Sequence, residues 1–256
     1  MSELLQDPWW WWAAASLALG YGVLGLVGFG SALIIVPLLS WHWTLAFIVP
    51  LVLLIDIPAS LLHAGLNLRH VAWRELPPLL PFAVLGVWLG TWATQALSGQ
   101  AGLLAVLGAY LVWVAWRGLR QPPAATAPSR GVAVAVAGGL IGLVESMFGT
   151  AGPVVVAWLS RRLAPQALRA TLPATIVVFA SMALSGYAAS GALAKPELWR
   201  LYPVGLAIAV AAVWVGHRIA TRLDEQRLRP LIYGLLALSG MVLMGRALSA
   251  MVGTST

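Results

Sequence analysis

Long apolar runs alternate with short polar breaks along the whole chain. The apolar runs fall at roughly 9–27, 31–41, 44–66, 74–97 and 101–119, and then at roughly 131–147, 152–162, 168–190, 198–221 and 230–250. Most approach the ~20 residues a helix needs to cross a bilayer. The runs 31–41 and 152–162 are too short to cross alone. Each follows a glycine-rich break, GFGSA at 28–32 and GTAGP at 149–153. The pattern predicts an all-helical integral membrane protein in which two of the helices are short and begin inside the protein.

Composition agrees. Of the 256 residues, 61% are hydrophobic and 9% charged, against about 25% charged in soluble domains. The +7 net charge does not point to nucleic acid, because the basic residues sit in short loops between apolar runs. Arg69 and Arg74 flank one loop. Arg117, Arg120 and Arg130 mark a second, Arg161, Arg162 and Arg169 a third, and Arg218, Arg222, Arg227 and Arg229 a fourth. Placing these loops in the cytoplasm puts 12 of the 15 basic residues inside; Lys195, Arg200 and Arg246 fall elsewhere. The expected setting is a bacterial-type inner membrane, crossed many times, with both termini outside. MSELLQDP has no basic stretch and no small-residue cleavage site follows, so the first apolar run is expected to stay in the protein. Trp9 to Trp12, Trp41 and Trp43 would anchor the outer interface, and Trp73, Trp113 and Trp116 the inner one. The chain has no cysteine, which excludes disulfides, thiol catalysis and Cys-ligated metal.

This orientation sends segment 44–66 inward and segment 168–190 outward. The halves also share sequence: GVLGLV at 22–27 matches GLIGLV at 139–144, VWLG at 87–90 matches VWVG at 213–216, and Pro77 matches Pro203. The second half carries four extra residues, Glu145 to Phe148, before its break. The expected organisation is a first repeat at 1–120, a Pro/Ala-rich cytoplasmic linker at 121–130 and a second repeat at 131–256. The two homologous halves are inverted, each a broken or re-entrant helix pair plus three transmembrane helices. Such halves with interrupted helices mark secondary transporters.

The blocks GFGSALIIVPLL and FGTAGPVVVAWL resemble the duplicated glycine-rich signature of the TauE/SafE family, the sulfite and organosulfonate exporters also grouped as toluene sulfonate uptake permeases. The likeness extends over essentially the whole chain. Ser31, Ala32 and Ala151 stand where the family usually has glycine. The resemblance implies transport of small sulfur- or carbon-containing anions.

A buried anion needs compensation, yet no Lys or Arg lies mid-segment. The donors on offer are backbone N–H groups at helices starting near Ser31 and Gly152, where the dipole is positive. The expected anion-binding residues are therefore Gly28, Gly30, Ser31 and Ala32 from one break, and Gly149, Thr150, Ala151, Gly152 and Pro153 from the other. Ser31 and Thr150 add hydroxyls, and Pro153 suits a first helical turn. Asp56, just before Pro58, and Glu145, just before the second break, are acids inside apolar runs. Such residues face a cavity or the protein interior, and they are the candidates for coupling to a proton or sodium ion. His63, two turns after Asp56 and on roughly the same face, is a third. Asn67 is a weaker candidate, and Thr171, Thr175, Ser181 and Ser185 are candidates to line a path.

The expected function is secondary-active transport of a small anion, such as sulfite or a small organosulfonate, by alternating access. An anion channel, a membrane enzyme and a non-transporting scaffold are the alternatives. No HExxH or GxSxG motif occurs, so neither an enzyme nor a metal or other cofactor is expected.

Overall fold

A computed structural model describes residues 8–64, 68–96, 100–120 and 131–220, together with 234, 237–238, 240–245 and 247–249. All regular structure among them is helical. In chain order, α1 spans Pro8–Val27, α2 Ser31–Leu39, α3 Leu45–Ala64, α4 Leu80–Ala96 and α5 Gln100–Arg120. The second half continues with α6 at Gly131–Phe148, α7 at Gly152–Leu159, α8 at Pro165–Ala189 and α9 at Pro196–Ala220. Single 3-10 turns occur at Leu68–His70, Trp73–Glu75 and Ala192–Ala194. The runs Trp9–Val27, Leu45–His63, Gly131–Phe148, Ala170–Ala189 and Pro196–Ile219 are each long and apolar enough to cross a membrane. The chain is an all-helical integral membrane protein. The linker at 121–130 and Asn67 lie outside the described residues.

One segment begins later than its hydropathy predicts. The run from residue 74 forms the Trp73–Glu75 turn first, and α4 starts at Leu80. Pro77 and Pro78 explain this: each lacks an N–H and disfavours helical backbone in the residue before it. The counterpart of Pro77 in the repeat, Pro203, lies inside α9 instead, so the two prolines do different structural work.

The helices pack reciprocally between the halves. α1 lies along α9, α4 lies along α6, and α3 lies against α8. The repeated motifs are what touch. A Cβ on Gly216 would collide with the carbonyl oxygen of Gly22, and one on Gly25 with that of Val213. In the other pair, a Cβ on Gly86 would collide with the carbonyl of Gly139, and one on Gly142 with that of Ala83. Thus GVLGLV of the first half seats on VWVG of the second, and GLIGLV of the second on VWLG of the first. Where lipid is as apolar as the side chains, close backbone approach replaces hydrophobic burial as the source of helix association. Contacts that advance together along both chains, Leu17 with Gly205 and then Gly25 with His217, make α1 and α9 parallel. Leu79 with Gly138 and then Gly90 with Ser146 make α4 and α6 parallel.

α3 and α8 run antiparallel. The Ala72 N–H, beyond the end of α3, donates to Thr171 Oγ1 at the start of α8 (3.0 Å). At that same end Arg162 Nη1 lies 3.6 Å from Glu75 Oε2. At the opposite end Trp12 Nε1 donates to Leu38 O (3.0 Å), Trp9 stacks on His42, and Leu201 of α9 joins Trp10, Trp43 and Phe47 around an apolar cleft. Large apolar side chains on α4, including Leu85, Trp88, Leu89 and Trp92, are exposed, as befits a surface covered by lipid.

Candidate functional site

Both breaks are built by the same device. α1 closes with the Gly28 N–H donating to Leu24 O (2.7 Å), and α6 with the Gly149 N–H donating to Glu145 O (2.7 Å). The chain then reverses through left-handed backbone, φ +88° at Gly28 and +64° at Gly149, where a residue with a Cβ is disfavoured. Gly30, before α2, is also left-handed at φ +98°. Its counterpart Ala151, before α7, has φ −72° and ψ −9°, so alanine sits there without strain. Ser31 opens α2 and Ala32 follows within it, positions that ask for no glycine.

The two breaks pack on each other. A Cβ on Gly152 would stand 2.9 Å from Phe29 Cδ2, and one on Gly149 would stand 3.6 Å from Ala32 Cβ. The N-termini of α2 and α7 therefore converge, and between them lies a small cavity. It is lined by Gly30, Ser31, Ala32, Asp56, Glu145, Gly149, Thr150, Gly152, Pro153 and Ile176. Its volume is about 10 Å³, room for about one water. The structure thus brings together most of the residues expected from sequence. Gly28 and Ala151 stand just outside the lining, in the turns that shape it.

The acids reach this cavity from different helices. Asp56 comes from the middle of α3 and is 2% exposed; Glu145 comes from the last turn of α6 and is 3% exposed. The Ser31 hydroxyl donates to Asp56 Oδ1 (2.9 Å), and the Tyr21 hydroxyl donates to Val52 O (3.4 Å), one turn earlier on α3. The Ala151 N–H, at the start of α7, donates to Glu145 Oε2 (2.8 Å). Each helix N-terminus is thereby faced by a carboxyl group, as its dipole favours. Glu145 Oε1 and the Thr150 hydroxyl have no protein partner. The Ser31 hydroxyl, read from sequence as a ligand donor, is committed to Asp56 in this conformation.

Other expectations land elsewhere. His63 does not line the cavity; its ring packs edge-on against His217 of α9 (5.5 Å). Thr171, Thr175, Ser181 and Ser185 each bond a carbonyl of their own helix. Ser181 and Ser185 lie on the exposed side of α8, so these four do not form one polar path. What α8 gives to the cavity is Ile176.

Sequence reasoning missed the tyrosines. The Tyr110 hydroxyl of α5 donates to Thr150 O (2.9 Å) and that of Tyr187 of α8 to Ser146 O (2.6 Å). The first holds a carbonyl of the second break and the second a carbonyl in the last turn of α6 before it. The signal was available: a tyrosine inside an apolar run has a hydroxyl that must find a partner. Among the described residues no group of three or more His, Asp or Glu is placed to hold a metal.

The model of the family described as Sulfite exporter TauE/SafE matches residues 12–243. The chain belongs to the TauE/SafE family. This TauE/SafE protein is also similar to the probable inner membrane transporter protein TsaS of Comamonas testosteroni, with 39% identity over 194 residues, 75% of this chain and 81% of the relative. No solved structure matches it significantly. By family it is a transmembrane transporter.

Proposed function

We propose that this TauE/SafE protein is a secondary-active carrier of a small sulfur anion, sulfite or a small organosulfonate, working by alternating access with proton coupling. The observation that carries the reading is the convergence of two helix N-termini, one from each half, on a single cavity that also holds two buried carboxyl groups. Converging N–H groups and positive dipole ends compensate an anion without a basic side chain, and none of the lining residues is basic. Gly30, Ser31, Ala32, Gly149, Thr150, Gly152 and Pro153 would surround the anion, with Gly28 and Ala151 shaping the turns. The cavity is too small in this conformation for a sulfonate group, so binding requires it to widen. That supports a carrier with a closed state over an open pore.

The antiparallel α3 and α8 and the reciprocal α1–α9 and α4–α6 pairs support the reading that the halves are inverted repeats. The basic loops assign the Arg162–Glu75 end to the cytoplasm and the Trp9–His42 end to the outside, with both termini outside. Asp56 and Glu145 are the coupling groups. Ser60 and His63 continue the polar face of α3 from Asp56 towards the cytoplasmic end and give a proton its next steps. A channel would conduct without saturation and without proton dependence. Purified protein in proteoliposomes is expected to give saturable sulfite and ethanesulfonate flux that follows an imposed pH gradient. Flux proportional to concentration, or indifferent to the gradient, contradicts the carrier.

A further inference from the structure

The α7 N-terminus is already occupied by a carboxyl group of the chain itself. The Ala151 N–H donates to Glu145 Oε2 (2.8 Å). Glu145 belongs to the four-residue turn that lengthens the second half before its break and has no counterpart in the first. In the first half the carboxyl group comes from Asp56 on α3 and is held through the Ser31 side chain (2.9 Å). Two more polar atoms line the same cavity without a protein partner: Glu145 Oε1 and the hydroxyl of Thr150, which is 4% exposed. Buried polar atoms of this kind are costly unless something pairs with them for part of the time. The cavity has room for about one water, so an anionic head group enters only as Glu145 leaves.

We infer that Glu145 is a tethered stand-in for the transported anion, which it exchanges with at the α7 N-terminus in step with its own protonation. This rests on the anion-carrier reading and adds to it the residue that links cargo to proton. The balance is simple. The carboxylate gains one proton, its bond from the Ala151 N–H breaks, and that N–H and the Thr150 hydroxyl then donate to an oxygen of the incoming monoanion. The charge in the cavity is the same before and after, so proton and anion move together. Without the proton, two carboxylates and a third anion would share one low-dielectric space.

The titratable groups around Glu145 are few. Asp56 faces it from α3, Tyr110 from α5 and Tyr187 from α8, while Tyr21 of α1 sits behind Asp56. α4 and α7 bring none. The tyrosine hydroxyls donate to carbonyls, which leaves Asp56 as the neighbour whose charge must be separated from that of Glu145.

The test is ethanesulfonate binding to the purified protein, by calorimetry in two buffers of different ionisation heat. A sulfonate stays a monoanion over the range used, so the pH dependence belongs to the protein. Wild type is expected to take up one proton per anion and to lose affinity about tenfold per unit rise in pH, the slope for one linked proton. Glu145→Gln is expected to bind at alkaline pH as tightly as wild type does in acid, with a flat profile. A variant that keeps the wild-type slope, as when Asp56 is the group responsible, or that binds more weakly than wild type at alkaline pH, overturns the inference. If that variant does not fold, Asp56→Asn decides in its place: uptake of one proton per anion, as in wild type, supports the inference, and uptake of none overturns it. No saturable binding by wild type at any pH overturns the anion-carrier reading and the inference with it.

Discussion

At the scale of single residues, the candidate site is two acids, three left-handed glycines and a few hydroxyls. Asp56 is fully enclosed and bonded to Ser31. Asn has nearly the same shape and still accepts from Ser31, so Asp56→Asn is expected to fold but to lose the response of sulfite flux to a pH gradient. Unchanged gradient dependence in proteoliposomes would remove Asp56 from the coupling role. Gly149 has φ +64°, and forcing an L side chain there costs about 1–2 kcal/mol. Gly149→Ala is expected to destabilise the protein by that amount, read from thermal unfolding in detergent, whereas Ala151→Gly, at φ −72°, has no such strain to relieve. Asp56 and Glu145 were legible in the sequence because a carboxyl inside an apolar run demands a reason. The partners of Glu145 were not. Its bond to Ala151 closes a tight turn whose geometry no hydropathy pattern encodes. Tyr110, Tyr187 and Ile176 reach the break from helices distant in sequence, where nothing local distinguishes them.

At the scale of elements, two interrupted helices are seated by glycine contacts between the halves. Gly142 and Gly86 of α6 and α4, and Gly216 and Gly25 of α9 and α1, place backbone against backbone. Gly142→Leu would drive a side chain into the Ala83 carbonyl, which rigid α4 cannot vacate. It is expected to cost about 1–3 kcal/mol or more and to lower the unfolding midpoint. Gly22→Leu, where an added Cβ meets nothing within 4 Å, is expected to be far milder. Equal effects would show that the close approach is not what holds the pairs. Helix positions and breaks were readable from run lengths and from GFGSA and GTAGP. The late start of α4 at Leu80 was not, because the run was drawn from Arg74 straight across Pro77 and Pro78, which bar a helix from starting there. The repeated motifs were visible as a repeat. That GVLGLV would sit on VWVG and GLIGLV on VWLG is a fact of tertiary packing, since similarity between segments does not say which of them touch.

At the scale of the whole molecule, the inverted reading fixes a topology. The chain lacks cysteine, so single introduced thiols report sidedness cleanly. Thr254→Cys is expected to react with an impermeant maleimide on intact cells, and Ala125→Cys only after permeabilisation. The opposite pattern would reverse the orientation, and labelling of both from outside would break the two-half arrangement. Apolar run lengths made the all-helical membrane setting readable from sequence. The meeting of the two breaks at one cavity was not readable, because it depends on α1 and α6 ending opposite each other across the α3–α8 pair. The central claim is that this meeting point is the anion site. Its most direct test is sulfite counterflow in proteoliposomes carrying wild type or Gly152→Leu, whose new side chain would meet Phe29 at the start of α7. Saturable exchange by wild type, absent in a variant that unfolds cooperatively at a comparable temperature, is the predicted result; exchange of equal rate and half-saturation in both would contradict it.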